Sequence, residues 1–281
     1  MSKNKPSPTM VITGATGGMG RACALLAAER GYRLVLTDLD NDKLNALARE
    51  CEQRGAVAES FPMDVCDAAS VERFAAQLKS VDAMIHTVGL SPQMAPWDRI
   101  IDVDLVGTVQ LLEKLRPVFS PGGCAVCIAS MSAHMVPPNP ELEALLEQPL
   151  ATDLIERLTA LPGEPASNPG LAYAYAKKAL ISYVAANAMA WGGEGKRLVS
   201  ISPGLIETDM GRLEADANRE NHAAMRKMIA LQRDGQAEEI ASAALFLAST
   251  EASYITGCDL RVDGGCIASF QQLQRQPQRR G

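Results

Sequence analysis

Thr13-Gly14-Ala15-Thr16-Gly17-Gly18-Met19-Gly20 decides the fold. It follows a short apolar run at 10–13. It opens a stretch, 19–30, in which Cys23, Leu26 and Ala27 fall on one helical face. A strand, a glycine turn and a helix in that order aim free backbone N–H groups and the positive helix end at one point. Gly14, Gly18 and Gly20 let the backbone turn sharply and approach a pyrophosphate there. Asp38 closes the second strand, 18 residues past Gly20. A carboxylate in that place receives the hydroxyls of an adenine ribose, so the three features together predict dinucleotide binding. Asp38 accepts from a free 2′-hydroxyl but repels a 2′-phosphate, and no Lys or Arg precedes Arg21 in the loop. NAD is therefore expected rather than NADP.

Outward from this loop the pattern alternates. Strands are expected at 33–37, 56–61, 82–87, 124–129, 198–202 and 259–262. Helices are expected at 41–54, 68–79, 97–119, 171–191 and 238–248. The fold class is α/β: a single Rossmann domain over 1–270, with a doubly wound parallel sheet of about seven strands and helices on both faces. The regularity breaks at 136–170, an insert with a helix-like stretch at 141–161. Residues 271–281 are Gln/Arg-rich and are expected to form a mobile tail.

Composition narrows the function. The 281 residues carry 27 Lys plus Arg against 33 Asp plus Glu, a net charge of −6. No basic field is present to hold nucleic acid or an anionic membrane. No apolar run approaches the roughly 20 residues of a membrane span. Residues 1–10 are polar with two prolines and lack the apolar core of a secretory signal. Seven cysteines, an odd number lying mostly in apolar patterns, suggest buried thiols in a reducing compartment, and a cytoplasmic location is expected. Cys124 and Cys127 have CxxC spacing but sit in an expected strand. Residues i and i+3 there face opposite ways, so no metal site is expected.

Tyr173 and Lys177, four apart at the start of an Ala-rich helix, share one face. A phenol near pKa ~10 is a poor proton carrier at neutral pH. An ammonium ~4 Å away, at an effective dielectric of ~20, favours the phenolate by about 4 kcal/mol, or about three pKa units. That places the phenol where general acid–base catalysis works best.

With these motifs in order, residues 10–265 resemble the short-chain dehydrogenase/reductase family. TGxxxGxG is Thr13–Gly20, YxxxK is Tyr173–Lys177, a Pro-Gly follows the sixth strand at Pro203-Gly204, and the closing DGG is Asp263–Gly265. The resemblance implies Ser130, Tyr173, Lys177 and Asp104 as catalytic residues. Ser130 is chosen because it ends the apolar run of the fifth strand; Ser132 is the other candidate. It implies cofactor contacts at Gly14, Thr16, Gly18, Met19, Gly20, Asp38, Leu39, Asp64, Val65, Val88, Gly89, Tyr173, Lys177, Pro203, Gly204, Ile206 and Thr208. Tyr175 has Ala179 rather than a lysine four residues on and reads as packing.

Two departures stand out. The family's Asn-Asn-Ala-Gly is His86-Thr-Val-Gly89 here, and a lone histidine in an apolar strand is more often structural than functional. The family's asparagine in the long helix is Asp104, which either anchors a proton relay to Lys177 or weakens it with a negative charge.

The 136–170 insert joins two catalytic residues and reads as a substrate-shaping flap, with an oligomerisation element as the plainer reading. Its Asn139-Pro140 start and Leu171–Tyr173 end are similar to the 3α-hydroxysteroid dehydrogenase/carbonyl reductase subgroup, as are Ser132–His134 and Gly89–Gln93. This implies a bulky hydrophobic alcohol or ketone, steroid-like or aromatic. Residues 205–232 are a second expected lid. The resemblance implies a homodimer or homotetramer. The expected function is NAD-dependent alcohol–ketone interconversion. The rival is a non-catalytic dinucleotide-binding sensor or scaffold on the same fold.

Overall fold

In the computed structural model, which describes residues 7–161 and 168–275, the first half of the chain alternates regularly. It runs β1 (Thr9–Thr13), α1 (Gly18–Glu29), β2 (Arg33–Asp38), α2 (Asn41–Gln53), β3 (Ala58–Pro62), α3 (Ala68–Ala75) and β4 (Val81–His86). Next come α4 (Trp97–Ile101), a wide π-helical turn (Asp102–Gly107), α5 (Thr108–Leu115), β5 (Phe119–Ile128) and a 3-10 turn (Met131–His134). The insert supplies α6 (Pro140–Leu146) and α7 (Leu154–Thr159). The chain then forms α8 (Pro169–Ala186), α9 (Ala188–Gly193), β6 (Arg197–Pro203), β7 (Ile206–Glu207), α10 (Asp209–Ala217) and α11 (Arg219–Met228). It ends with β8 (Gly235–Gln236), α12 (Ala237–Ala248), β9 (Asp259–Val262) and α13 (Cys266–Arg275).

Seven strands form one parallel sheet in the order β3-β2-β1-β4-β5-β6-β9. The order reverses between β1 and β4, which opens a crevice beyond the carboxyl ends of the strands. The single-domain α/β expectation thus holds. One apolar cluster packs α1, α2 and α12 on one sheet face, and a second packs α3, α5, α8 and Trp191 on the other. Cys124 belongs to the first cluster and Cys127 to the second, so the CxxC cysteines do lie on opposite faces. Among the described residues no helix is long and apolar enough to cross a membrane.

The expected helices differ in their breaks. The 97–119 helix is interrupted at Asp102–Gly107, where a Cβ at Gly107 would lie 2.9 Å from Val65 Cγ2. The 171–191 helix begins at Pro169, capped by the Asn168 side chain, and is divided at Asn187. The insert's 141–161 stretch is two helices with Pro149 between them. Residues 271–275 of the expected tail are the last turn of α13, and 276–281 lie outside the described residues, as do 162–167 of the insert.

Among the described residues of the insert, α6 and α7 do not fold over the crevice as a flap. Leu142, Leu146, Leu154 and Leu158 are buried against Ile101, Leu105, Ala172 and Tyr175, on the outer side of α4 and α8. Lys178 pairs with Glu143 at 2.7 Å, tying α6 to α8. Tyr175 is buried in this cluster, and its hydroxyl donates to the Pro137 carbonyl at 2.8 Å. Among the described residues of the insert, Val136, Pro137 and Gly170 at its two ends line the crevice.

Candidate active site

The glycine loop turns as its sequence demands. Gly14 has φ +66°, and a Cβ there would lie 2.8 Å from the Val88 nitrogen. A Cβ at Gly20 would lie 2.1 Å from the Gly14 carbonyl oxygen. Residues 14 and 20 must therefore both lack side chains for α1 to begin here. The Thr87 hydroxyl, which sequence reasoning did not single out, donates to the Thr13 and Gly14 carbonyls at 2.9 and 3.1 Å and ties the loop to β4. No side chain caps α1, so its first N–H groups stay available to an anion. A Cβ at Gly18 would lie 2.7 Å from Thr208 Cγ2, so the loop also abuts the segment after β6. A pyrophosphate-bearing group fits this bare, tightly approached turn.

Asp38 sits at the end of β2 beside that loop. Its Oδ2 accepts from the Thr16 N–H (2.9 Å) and hydroxyl (2.6 Å), and its Oδ1 from the Leu39 N–H (2.7 Å). Asp40, not Asp38, caps α2. Leu39 is exposed at the rim. Asp64 accepts from the Cys66 N–H at 2.9 Å and faces the Arg99 guanidinium at 3.9 Å. The Val65 carbonyl accepts from Gln110 Nε2 at 3.0 Å. Arg99 is a further charged group of this arm that the sequence did not flag.

The other arm is a cavity of about 580 Å³ that brings Ser130, Tyr173 and Lys177 together with Met19, Val88, Gly89, Pro203, Gly204, Ile206 and Thr208. Ser130 Oγ accepts from the Ser132 N–H (3.2 Å) and the Ser132 hydroxyl (2.9 Å). Its own proton is therefore free to point elsewhere, which favours Ser130 over Ser132 as the group that meets a substrate. The turn carrying both serines is anchored by His134, whose Nε2 lies 2.9 Å from Asp259 Oδ2 and 3.2 Å from Ser202 Oγ.

Lys177 is 3% exposed and Asp104 is fully buried. Lys177 Nζ donates to the Ile128 carbonyl at 3.0 Å and lies 3.5 Å from Asp104 Oδ2. The Leu90 N–H donates to Asp104 Oδ1 at 2.7 Å, while Oδ2 has no hydrogen-bond partner among the described residues. Burial raises the Asp104 carboxyl above the usual carboxylate range, against the pull of Lys177. The expected acidification of Tyr173 is not what this arrangement gives. Burial pushes its phenol up, the Asp104 carboxylate adds to that, and the Ser130 hydroxyl opposes it. Lys177 Nζ lies 5.7 Å from the centre of the Tyr173 ring, and spacing on one helix omitted the counter-charge from the turn that packs beneath it.

His86 is buried, with Nδ1 2.7 Å from the Thr13 hydroxyl and Nε2 2.8 Å from the Thr108 hydroxyl. Burial, then the Lys177 charge, pull its pKa down to about 3. It is a neutral strut between β1, β4 and α5 and lies under the site rather than in it.

The opposite wall is α10 and α11. Met210, Glu214, Asn218, Asn221, His222 and Met225 line the cavity from that side. Burial raises the Glu214 carboxyl, and its charge reaches Tyr173. Glu214 was not legible as a site residue, since nothing in its local spacing distinguishes it from a solvated helical glutamate.

Residues 14–145 and 156–266 match the family described as Enoyl-(Acyl carrier protein) reductase. The chain is 32% identical over 278 residues to the uncharacterized oxidoreductase YxbG of Bacillus subtilis, covering 92% of this chain and 91% of that protein. It is 29% identical over 269 residues to a D-threitol dehydrogenase of Mycolicibacterium smegmatis, covering 91% of each. Its fold matches a short-chain type dehydrogenase/reductase from Mycobacterium ulcerans with TM-score 0.74 and 23% identity, over 93% of this chain and 90% of that one.

Proposed function

The chain belongs to the short-chain dehydrogenase/reductase family of oxidoreductases, which use a nicotinamide dinucleotide, and on that premise we propose that it interconverts a bulky secondary alcohol and its ketone with NAD. The observation that carries this reading is the convergence of Ser130, Tyr173 and Lys177 on one cavity at the carboxyl ends of the strands. The nicotinamide, when bound, accepts or supplies the hydride. Tyr173 takes the carbinol proton in one direction and returns it in the other. The Ser130 hydroxyl donates to the carbinol or carbonyl oxygen and fixes it against the phenol. Lys177 holds the ribose, and Asp104 fixes the lysine. This complete set disfavours the non-catalytic sensor.

Asp38 supports NAD. Its carboxylate stands beside the loop, where it repels a 2′-phosphate, and Arg21, the first basic residue after the loop's glycines, is paired with Glu50 at 2.7 Å. The Met131, Met135, Met210 and Met225 lining supports a large apolar substrate body, because thioethers mould to irregular shapes. Glu214 favours a second reading in which the substrate carries a further hydroxyl, in keeping with a relative named D-threitol dehydrogenase.

NAD and NADP are offered side by side with a panel of secondary alcohols, cyclic, aromatic and polyhydric, while NADH absorbance is followed. Turnover with NAD and a hydrophobic alcohol is the expected result. Absence of turnover with every alcohol and the matching ketones overturns the enzyme reading, and a preference for NADP overturns the role of Asp38.

A further inference from the structure

Asp104 stands where the family carries a neutral amide, and its surroundings show what the extra charge does. Both members of the Lys177–Asp104 pair are out of water, with side chains 4% and 0% exposed. Each is fixed from outside the pair, Lys177 by the Ile128 carbonyl and Asp104 by the Leu90 N–H. Gly89 closes over them: a Cβ there would lie 3.2 Å from Lys177 Nζ and 3.4 Å from each Asp104 oxygen. The pair is thus a packed unit: the Lys177 ammonium and the Leu90 N–H hold Asp104 as the carboxylate against the pull of its burial, and the two opposite charges lie 3.5 Å apart. Lys177 Nζ lies 5.7 Å from the centre of the Tyr173 ring.

We infer that Asp104 is a positioning residue that cancels the charge of Lys177, so that Tyr173 stays a phenol at neutral pH and the site serves ketone reduction more readily than alcohol oxidation. The inference rests on the proton-carrying role proposed for Tyr173. Reduction needs the phenol, which gives its proton to the carbonyl oxygen. Oxidation needs the phenolate, which takes the carbinol proton.

The other groups facing Tyr173 and the pair do not replace the missing positive charge. His86 on β4 is neutral, pulled down to about 3 between two threonine hydroxyls. Cys127 on β5 is a buried thiol pushed up to about 12, and so uncharged. Glu214 on α10 adds negative charge toward the phenol. Among the described residues the Ser130 hydroxyl favours the phenolate, and a neutral hydroxyl is weaker than an ammonium.

The test is an ultraviolet titration of phenolate in the cofactor-free full chain, with the Tyr173 step identified as the one lost in Tyr173→Phe. In the unsubstituted protein this step is expected above the ordinary phenol value of about 10. Asp104→Asn is expected to lower it by about one pH unit or more, because removing a nearby negative charge favours the phenolate. Asp104→Ser removes the same charge with a different shape and is expected to act in the same direction. The rising limb of alcohol oxidation against pH moves down with it. A wild-type step at or below the ordinary value overturns the inference without any variant. So does a step that stays in place or rises in both variants. A protein that turns over no alcohol or ketone, yet titrates as described, instead sinks the enzyme reading and leaves the electrostatic assignment standing.

Discussion

The floor of the cavity and its lid differ in how each is held. On the floor, Lys177 and Asp104 are buried, and Ser130, Tyr173 and Lys177 rise from the sheet edge and α8. Across from them, no residue of α10 or α11 is buried, although Met210, Glu214, Asn221, His222 and Met225 line the cavity. Rigid elements carry the groups that must be placed to a fraction of an ångström, and elements of low local stability carry those that meet variable substrate. The lid is nonetheless anchored at its start, where the Thr208 hydroxyl accepts from the Gly211 N–H at 3.1 Å.

The contrast is sharpest in turnover. Tyr173→Phe is expected to lower kcat about 10²- to 10⁴-fold while NADH binding, followed by fluorescence, is retained. Ser130→Ala is expected to cost about 10²-fold and Ser132→Ala far less, since Ser132 donates to Ser130; equal losses in the two would show that the serine was assigned wrongly. Stability gives the next test. His86 is neutral and buried, so the unfolded chain takes up its proton first as pH falls below the ordinary 6.5. Its contribution is complete above 6.5 and is lost as pH falls toward 3. His86→Asn should flatten that acid limb in urea midpoints measured against pH.

Changes in the lid should be smaller and of another kind. Glu214→Gln is expected to alter KM several-fold for alcohols bearing a second hydroxyl and to leave simple alcohols nearly unchanged. A tenfold loss of kcat for both would move Glu214 from the lid's role to the floor's. Leu213, 46% exposed on α10, should tolerate serine with a change of about 0.5 kcal/mol or less in denaturant unfolding.

Much of the floor was legible because its signals are local. The glycine turn, the carboxylate closing β2, the Tyr–Lys spacing and the serine ending β5 each depend on a few adjacent residues. What escaped reading depends on chain segments meeting. The π-helical turn follows from Gly107 packing on Val65, and the upward shift of Tyr173 follows from its burial and then from Asp104 arriving beneath Lys177 from that turn. The insert read as a flap because both its ends carry catalytic residues, yet its four buried leucines find their partners on the far side of α8. The segment 205–232 is legible as a lid, but its two helices are not, since none of their residues is fully buried and, among the described residues, only their Met225 and Met228 pack on an apolar cluster.

The contact between Gly18 and Thr208 has an evolutionary consequence. With barely room for the threonine methyl against the glycine, neither position is at liberty to drift alone. A methyl group gained at 18 would press on both the Cγ2 and, at 2.9 Å, the Cβ of Thr208, so any remodelling of the substrate side of this protein inherits a constraint from the nucleotide side.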